Sequence, residues 1–265
     1  MTNHRSLAVL IAAAALIVSA CSDSETSTGD ASTPTTTTTT AAAESTTTEA
    51  AAAEETEVTE APTTTKAAET GVSSTFVAEV WVDNWFSLTV NGGFVGEDSV
   101  PITTERSFNA ETFTFDATYP LTIAVEAKDF KETDSGLEYI GEGNQQMGDG
   151  GLILQITDQT TGEVVAVSSG DWRTLVIHEA PLNKDCEDSN DPDNECESRI
   201  IDAPADWTAP DFDDSTWTNA TEWTAADVGP KDGYDQIDWD PTAELIWGAD
   251  LESDNTVLAR LTVGA

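Results

Sequence analysis

Basic residues are scarce: ten lysines and arginines stand against fifty aspartates and glutamates, a formal charge of −40 over 265 residues. A surface this acidic repels polyphosphate and anionic headgroups, which excludes nucleic acid as a partner and favours cations or neutral ligands. Histidine is nearly absent, and His178 is the one that falls outside the N-terminal leader. No serine or cysteine sits in a recognisable nucleophile elbow, and the chain has neither a phosphate-binding loop nor a dinucleotide fingerprint. His178, beside Glu179, therefore reads as structure, and the chain as not an enzyme. Catalysis would require a concave pocket holding His178 or a carboxylate pair at catalytic separation.

Long apolar runs are also missing, with one exception at 7–18, which follows Arg5 and is too short to span a bilayer of about 20 apolar residues. It reads as a signal peptide. The run ends in Val18, Ser19, Ala20, Cys21, which resembles the bacterial lipobox, where small residues admit a peptidase before a lipidated cysteine. The resemblance implies cleavage of 1–20 and diacylglyceryl and palmitate chains on Cys21. Those chains would anchor the protein on the extracytoplasmic face of the cell membrane, since two or more acyl chains suffice for stable attachment.

No aromatic residue occurs between Cys21 and Phe76. Residues 21–74 are mostly threonine, alanine, glutamate and serine, a composition that buries too little surface to offset its ordering entropy and predicts a disordered tether. A flexible coil of about 53 residues spans roughly 40 Å root-mean-square, extended further by like charges.

From residue 75 to 265 the composition changes, bringing all eight tryptophans and the other two cysteines. Phe86, Leu88 and Val90 alternate with Ser87 and Thr89 before the turn Asn91-Gly92-Gly93, and Leu121, Ile123 and Val125 alternate with Thr122, Ala124 and Glu126. Further strands are predicted at 76–82, 113–115, 152–156, 164–167, 175–177 and 257–263, and no amphipathic helix is convincing. Many short strands separated by turn signals predict an all-β sandwich or jelly roll.

Several segments resemble the galactose-binding-like jelly-roll modules found ahead of bacterial α-L-rhamnosidase catalytic domains. They are 83–92, ending in Val-Asn-Gly; 119–129, with Val125-Glu126-Ala127-Lys128-Asp129; 150–172, closing in Asp171-Trp172; Phe212-Asp213-Asp214-Ser215-Thr216-Trp217; and Ile246-Trp247 with 257–260. The resemblance implies a galactose-binding-like β-sandwich whose partner is carbohydrate, with Trp217 and Trp247 as packing residues. The acidic insertion around 183–199 and the lack of a following catalytic domain depart from that pattern.

Cys186 and Cys196 are expected to form a disulfide outside the membrane, worth about 3 kcal/mol on the chain-entropy model. Within that loop Asp188, Asn190, Asp191 and Asp193 are candidate ligands for structural calcium, although Pro192 intrudes and the spacing is not that of an EF-hand. A solvated acidic loop is the alternative, and Asp211, Asp213 and Asp214 read as turn chemistry. If strand alternation runs unbroken through Asp83 and Asn84, Trp81 and Trp85 share a face and could stack on a sugar ring, with Asp83, Asn84 and Asn91 bonding its hydroxyls; core packing against the second sheet is the competing and favoured reading for either tryptophan. Trp207, Trp223 and Trp239 lie in loops and could also line a site. The expected role is a non-catalytic binding module held at the cell surface, for polysaccharide or alternatively for a surface protein.

Overall fold

Phe76, Ala78, Val80 and Val82 point one way from strand β1 (Ser74–Asp83) into the main core, with the period of two that a strand imposes. The computed structural model describes residues 71, 73–103 and 108–264. The expected signal peptide, the lipidated Cys21 and nearly all of the expected tether lie outside the described residues.

The remaining strands are β2 (Trp85–Val90), β3 (Gly93–Glu97), β4 (Ala110–Ala117), β5 (Leu121–Lys128), the short pair β6 (Leu137–Glu138) and β7 (Gln146–Met147), β8 (Gly151–Asp158), β9 (Glu163–Val167), β10 (Arg173–Glu179), β11 (Arg199–Ile200), β12 (Thr218–Asn219), β13 (Thr221–Trp223), β14 (Leu245–Trp247) and β15 (Asp254–Val263). One antiparallel sheet has the order β13-β14-β8-β1-β4, with β9 also on β8; the other has the order β11-β10-β15-β5-β2-β3, with β12 on β10. Leu152, Leu154 and Ile156 of the first sheet share a core with Phe86, Leu88, Ile123, Val125, Val257 and Ala259 of the second. This is the expected all-β sandwich. Two four-residue helices, α1 (Pro192–Glu195) and α2 (Ala225–Val228), add little regular structure.

The β2–β3 hairpin closes through Asn91 and Gly92, both at positive φ (53° and 75°), which is the backbone of a two-residue turn that matches strand twist. Asparagine tolerates that conformation, and here its side chain also works: Nδ2 donates to the Thr118 carbonyl at 2.9 Å and Oδ1 accepts from the Thr122 amide at 2.8 Å. Asn91 thus ties the hairpin to the β4–β5 connection, which accounts for it without a ligand.

Both outer faces carry a cover. Over the first sheet, the segment 225–243 brings Val228, Tyr234 and Trp239 onto Trp81, Ile153 and Leu245, forming a second, smaller core. Across the second, a strap at 201–217 passes over β15, where Arg260, 1 % exposed, donates to Asp214 Oδ2 at 2.9 Å and to the carbonyls of Trp207 and Ala209. The strap reaches the hairpin, where the backbone of Thr208 and Ala209 lies within 4 Å of a Cβ placed on Gly92. It returns through Trp217, which packs on Phe212 and Trp207 at 5.6 and 6.2 Å between ring centroids. Trp217, Trp172 and Trp247 are all buried packing residues.

Cys186 and Cys196 are disulfide-bonded, as expected. The loop they close docks on the β6–β7 region, where Gln145 Nε2 donates to the carbonyls of Glu187 and Ser189 at 2.6 and 2.8 Å.

Candidate functional site

The strap covers only one half of the outer face of the second sheet. Register sets which half: Arg260 lies opposite Ala124, whereas Leu258 lies opposite Glu126 and Thr256 opposite Lys128. Beyond the strap, around Glu126, Lys128 and Thr256, a groove of about 770 Å³ opens, walled by Ile102, Phe130, Ile177, His178, Ile200 and Ile201. Its lining alternates isoleucine faces with charged and hydroxyl groups, a mixture suited to a ligand with both apolar and hydrogen-bonding surface.

β1 carries the chain from its entry at Ser74, opposite Ala117, to Asp83, opposite Gly151. Ten residues at about 3.3 Å each separate these ends by about 30 Å. Asp83, Lys128, Asp129 and Thr256 all belong to the far pole, so the groove lies at the end of the sandwich away from where the N-terminal segment joins it.

The aromatic pair expected on one face is split. β1 and β2 belong to different sheets, and the chain crosses between them at Asp83 and Asn84, so alternation does not run through. Trp81 is fully buried under the 225–243 cover, with its Nε1 donating to the Phe108 carbonyl at 2.9 Å and Tyr234 edge-on at 5.7 Å. It belongs to the core, and the ligand role expected for it is withdrawn. Trp85 is half-buried on the opposite outside of the molecule, where Lys128 Nζ lies 4.6 Å above its ring, at the rim of the groove. The tryptophans expected in loops are occupied as well: Trp239 Nε1 donates to the Tyr234 carbonyl, and Trp223, which ends strand β13 rather than lying in a loop, donates from Nε1 to the Gly248 carbonyl.

Asp83 and Asn84 are buried rather than presented to a sugar. Asn84 Nδ2 donates to Asp83 Oδ1, its Oδ1 accepts from the Phe130 amide, and its own amide donates to the Lys128 carbonyl at 2.8 Å. Asp83 instead meets Asp129 and Asp149, each giving one carboxylate oxygen within 4.8 Å of the others. Strand ends deliver two of the three: Asp83 ends β1, Asp129 follows β5, and Asp149 comes from the glycine-rich approach to β8. Gly148 packs so closely that a Cβ there would stand 1.6 Å from Asp129 Oδ2. Lys231 reaches in from the cover, 3.4 Å from Asp149 Oδ2 and 3.9 Å from Asp83 Oδ2. Burial, then the charges of Asp83, Glu138 and Asp149, raise the Asp129 carboxyl well above the usual range.

Among the described residues this is where acidic ligands converge; the disulfide loop is not. Asp188, Asn190, Asp191 and Asp193 are exposed, and Asp191 Oδ1 accepts from Asn194 Nδ2 at 2.8 Å, so no cage of calcium ligands forms there. Asp213 performs the expected turn chemistry, accepting from the Ser215 amide at 3.0 Å, whereas Asp214 accepts from Arg260 and holds the strap. His178 is 4 % exposed in the groove wall, with Nε2 3.3 Å from the Asp134 carbonyl. Burial, then Lys131, lowers its pKa.

A second raised carboxyl lies near the same pole. Asp254, at the start of β15, is pushed up to about 6 by burial, with Glu179 and Asp250 adding to the rise. An acid that holds its proton more tightly folded than unfolded contributes stability below its unfolded pKa of about 4 and loses it as pH rises through the folded value. The metal-free chain should therefore gain stability on acidification from pH 7.5 to 5.5. Asp254 should supply on the order of 0.5 kcal/mol of this, because pH 5.5 lies only just below its folded value of about 6 and its partial solvent contact discounts the shift further. Urea titrations at the two pH values check this, and Asp254→Asn should flatten the difference; a wild-type chain no more stable at pH 5.5 refutes it.

Compared with family models, with curated proteins and with solved structures, the chain matches none of them.

Proposed function

We propose that this chain is a lipid-anchored surface protein whose β-sandwich, of the galactose-binding-like jelly-roll type, is a non-catalytic carbohydrate-binding module. The observation that carries the reading is the groove on the second sheet, at the pole away from the N-terminal entry. The groove's isoleucines and Phe130 offer apolar surface to sugar C–H groups, Trp85 stands at the rim, and Lys128, Glu126 and Thr256 offer hydrogen bonds. The acidic surface favours a neutral or cationic polysaccharide over a polyanionic one.

His178 in the groove wall meets one requirement of a catalytic reading. However, its ring is almost wholly covered, it is held against a backbone carbonyl, and no nucleophile is hydrogen-bonded to it. A protein-binding role is the second reading, favoured by Ile200 and Ile201, which are 52 % and 39 % exposed beside the groove.

The test is a glycan array and insoluble-polysaccharide pull-down with the full chain, in calcium and in chelator. Expected is retention on at least one neutral glycan, weakened tenfold or more by Lys128→Ala, which removes a charged hydrogen-bonding group from the groove. Absence of glycan binding in both conditions sinks the carbohydrate reading.

A further inference from the structure

Buried carboxylate oxygens need partners, and at the far pole one of them, on Asp129, lacks a hydrogen bond. Asp83 and Asp129 are 0 % and 2 % exposed, Glu138 beside them is 1 % exposed, and Asp149 completes the group. Asp129 Oδ1 is buried with no hydrogen-bond partner, a costly state for an ionised oxygen. Lys231 also reaches the cluster, but it is 40 % exposed and stands at 3.4 and 3.9 Å rather than in close contact.

The donors are all hard oxygens, which suit calcium or magnesium and not the softer transition metals. Oxygens within 4.8 Å of one another can all bind a single ion at 2.3–2.6 Å, the calcium distance, whereas the shorter bonds and strict octahedron of magnesium would demand tighter convergence. Gly148 leaves no room for a side chain between the loop and Asp129, so the third ligand, Asp149, is carried in at close range.

We propose that Asp83, Asp129 and Asp149 form a calcium site, with Lys231 as the resident counter-charge that calcium displaces. The site is independent of whether the groove binds a sugar, because the ion itself is the ligand. It fastens the ends of β1 and β5 to the approach to β8, joining the two sheets at the pole where the groove opens.

The experiment is calorimetric titration of calcium into the chelator-stripped full chain in 0.15 M salt, where diffuse attraction to the acidic surface is screened, with melting followed in parallel. Expected is one ion per chain and a rise in melting temperature on the order of 5–10 °C at about 100 times Kd. Asp129→Asn should fold, since Asp129 Oδ1 makes no hydrogen bond that the change would break, and should lose the stoichiometric heat. Lys231→Met should bind calcium several-fold more tightly. An Asp191→Asn, Asp193→Asn double variant in the disulfide loop should bind as the wild type does, and magnesium at least tenfold more weakly than calcium. The proposal is overturned if no stoichiometric binding is seen, if Asp129→Asn retains it, if Lys231→Met weakens it, or if the disulfide-loop variant abolishes it. Magnesium binding as tightly as calcium overturns the choice of ion.

Discussion

Arg260→Ala should cost about 3–5 kcal/mol, a drop in melting temperature on the order of 10 °C for a domain of this size. The guanidinium is buried beneath the strap and is the common partner of Asp214, of the Trp207 and Ala209 carbonyls, and of the Phe212 ring, whose centroid lies 5.2 Å away. Alanine leaves a carboxylate and two carbonyls without their donor, and a void where a large side chain stood. Asp214→Asn should cost far less, about 1–2 kcal/mol, because the carbonyl and ring contacts of Arg260 survive. Urea denaturation of the full chain gives both values. Equal costs for the two variants would mean that the ion pair alone holds the strap, contrary to the geometry. Because Ile200 and Ile201 lead into the strap, Arg260→Ala should also open the groove wall they form.

Arg260 illustrates what a sequence pattern can and cannot show. In the run 257–263, Val257 and Ala259 point to the core, and alternation places Arg260 outside, which is correct. That the outside is covered depends on a strap about fifty residues earlier, whose aspartates read as turn residues because their local spacing is that of turns. The strands of five or more residues were legible for the same local reason: period two and glycine punctuation act within a few residues. The two- and three-residue strands β6, β7 and β11–β13 have no period to detect. The carboxylate cluster was illegible because Asp83, Asp129 and Asp149 converge only when two sheets and a loop end at one pole, and aspartate is so abundant here that no single one stands out. A signal did exist in the glycines at 148, 150 and 151, which surround Asp149 and mark close backbone approach.

The misplaced tryptophan pair yields the other large effect. Trp81→Ala should cost about 3–5 kcal/mol, whereas Trp85→Ala should cost about 1 kcal/mol. Trp81 fills the small core under the 225–243 cover and satisfies the Phe108 carbonyl, so its loss empties a site that Tyr234, Val228 and Leu245 cannot easily collapse into. Trp85 loses a half-exposed ring and a lysine contact. Function should divide the other way. Trp85→Ala should keep a native near-ultraviolet circular dichroism spectrum yet weaken glycan retention, because it removes the aromatic at the groove rim and frees Lys128 to move. Trp81→Phe keeps most of the buried volume and loses the donor, so it should cost about 1–2 kcal/mol and leave retention unchanged. If Trp81→Phe abolishes binding while the fold persists, the ligand sits on the first sheet and the groove assignment is wrong. Spacing in the sequence places the two rings together, and the change of sheet at Asp83 and Asn84 makes one a core residue and the other a candidate for recognition.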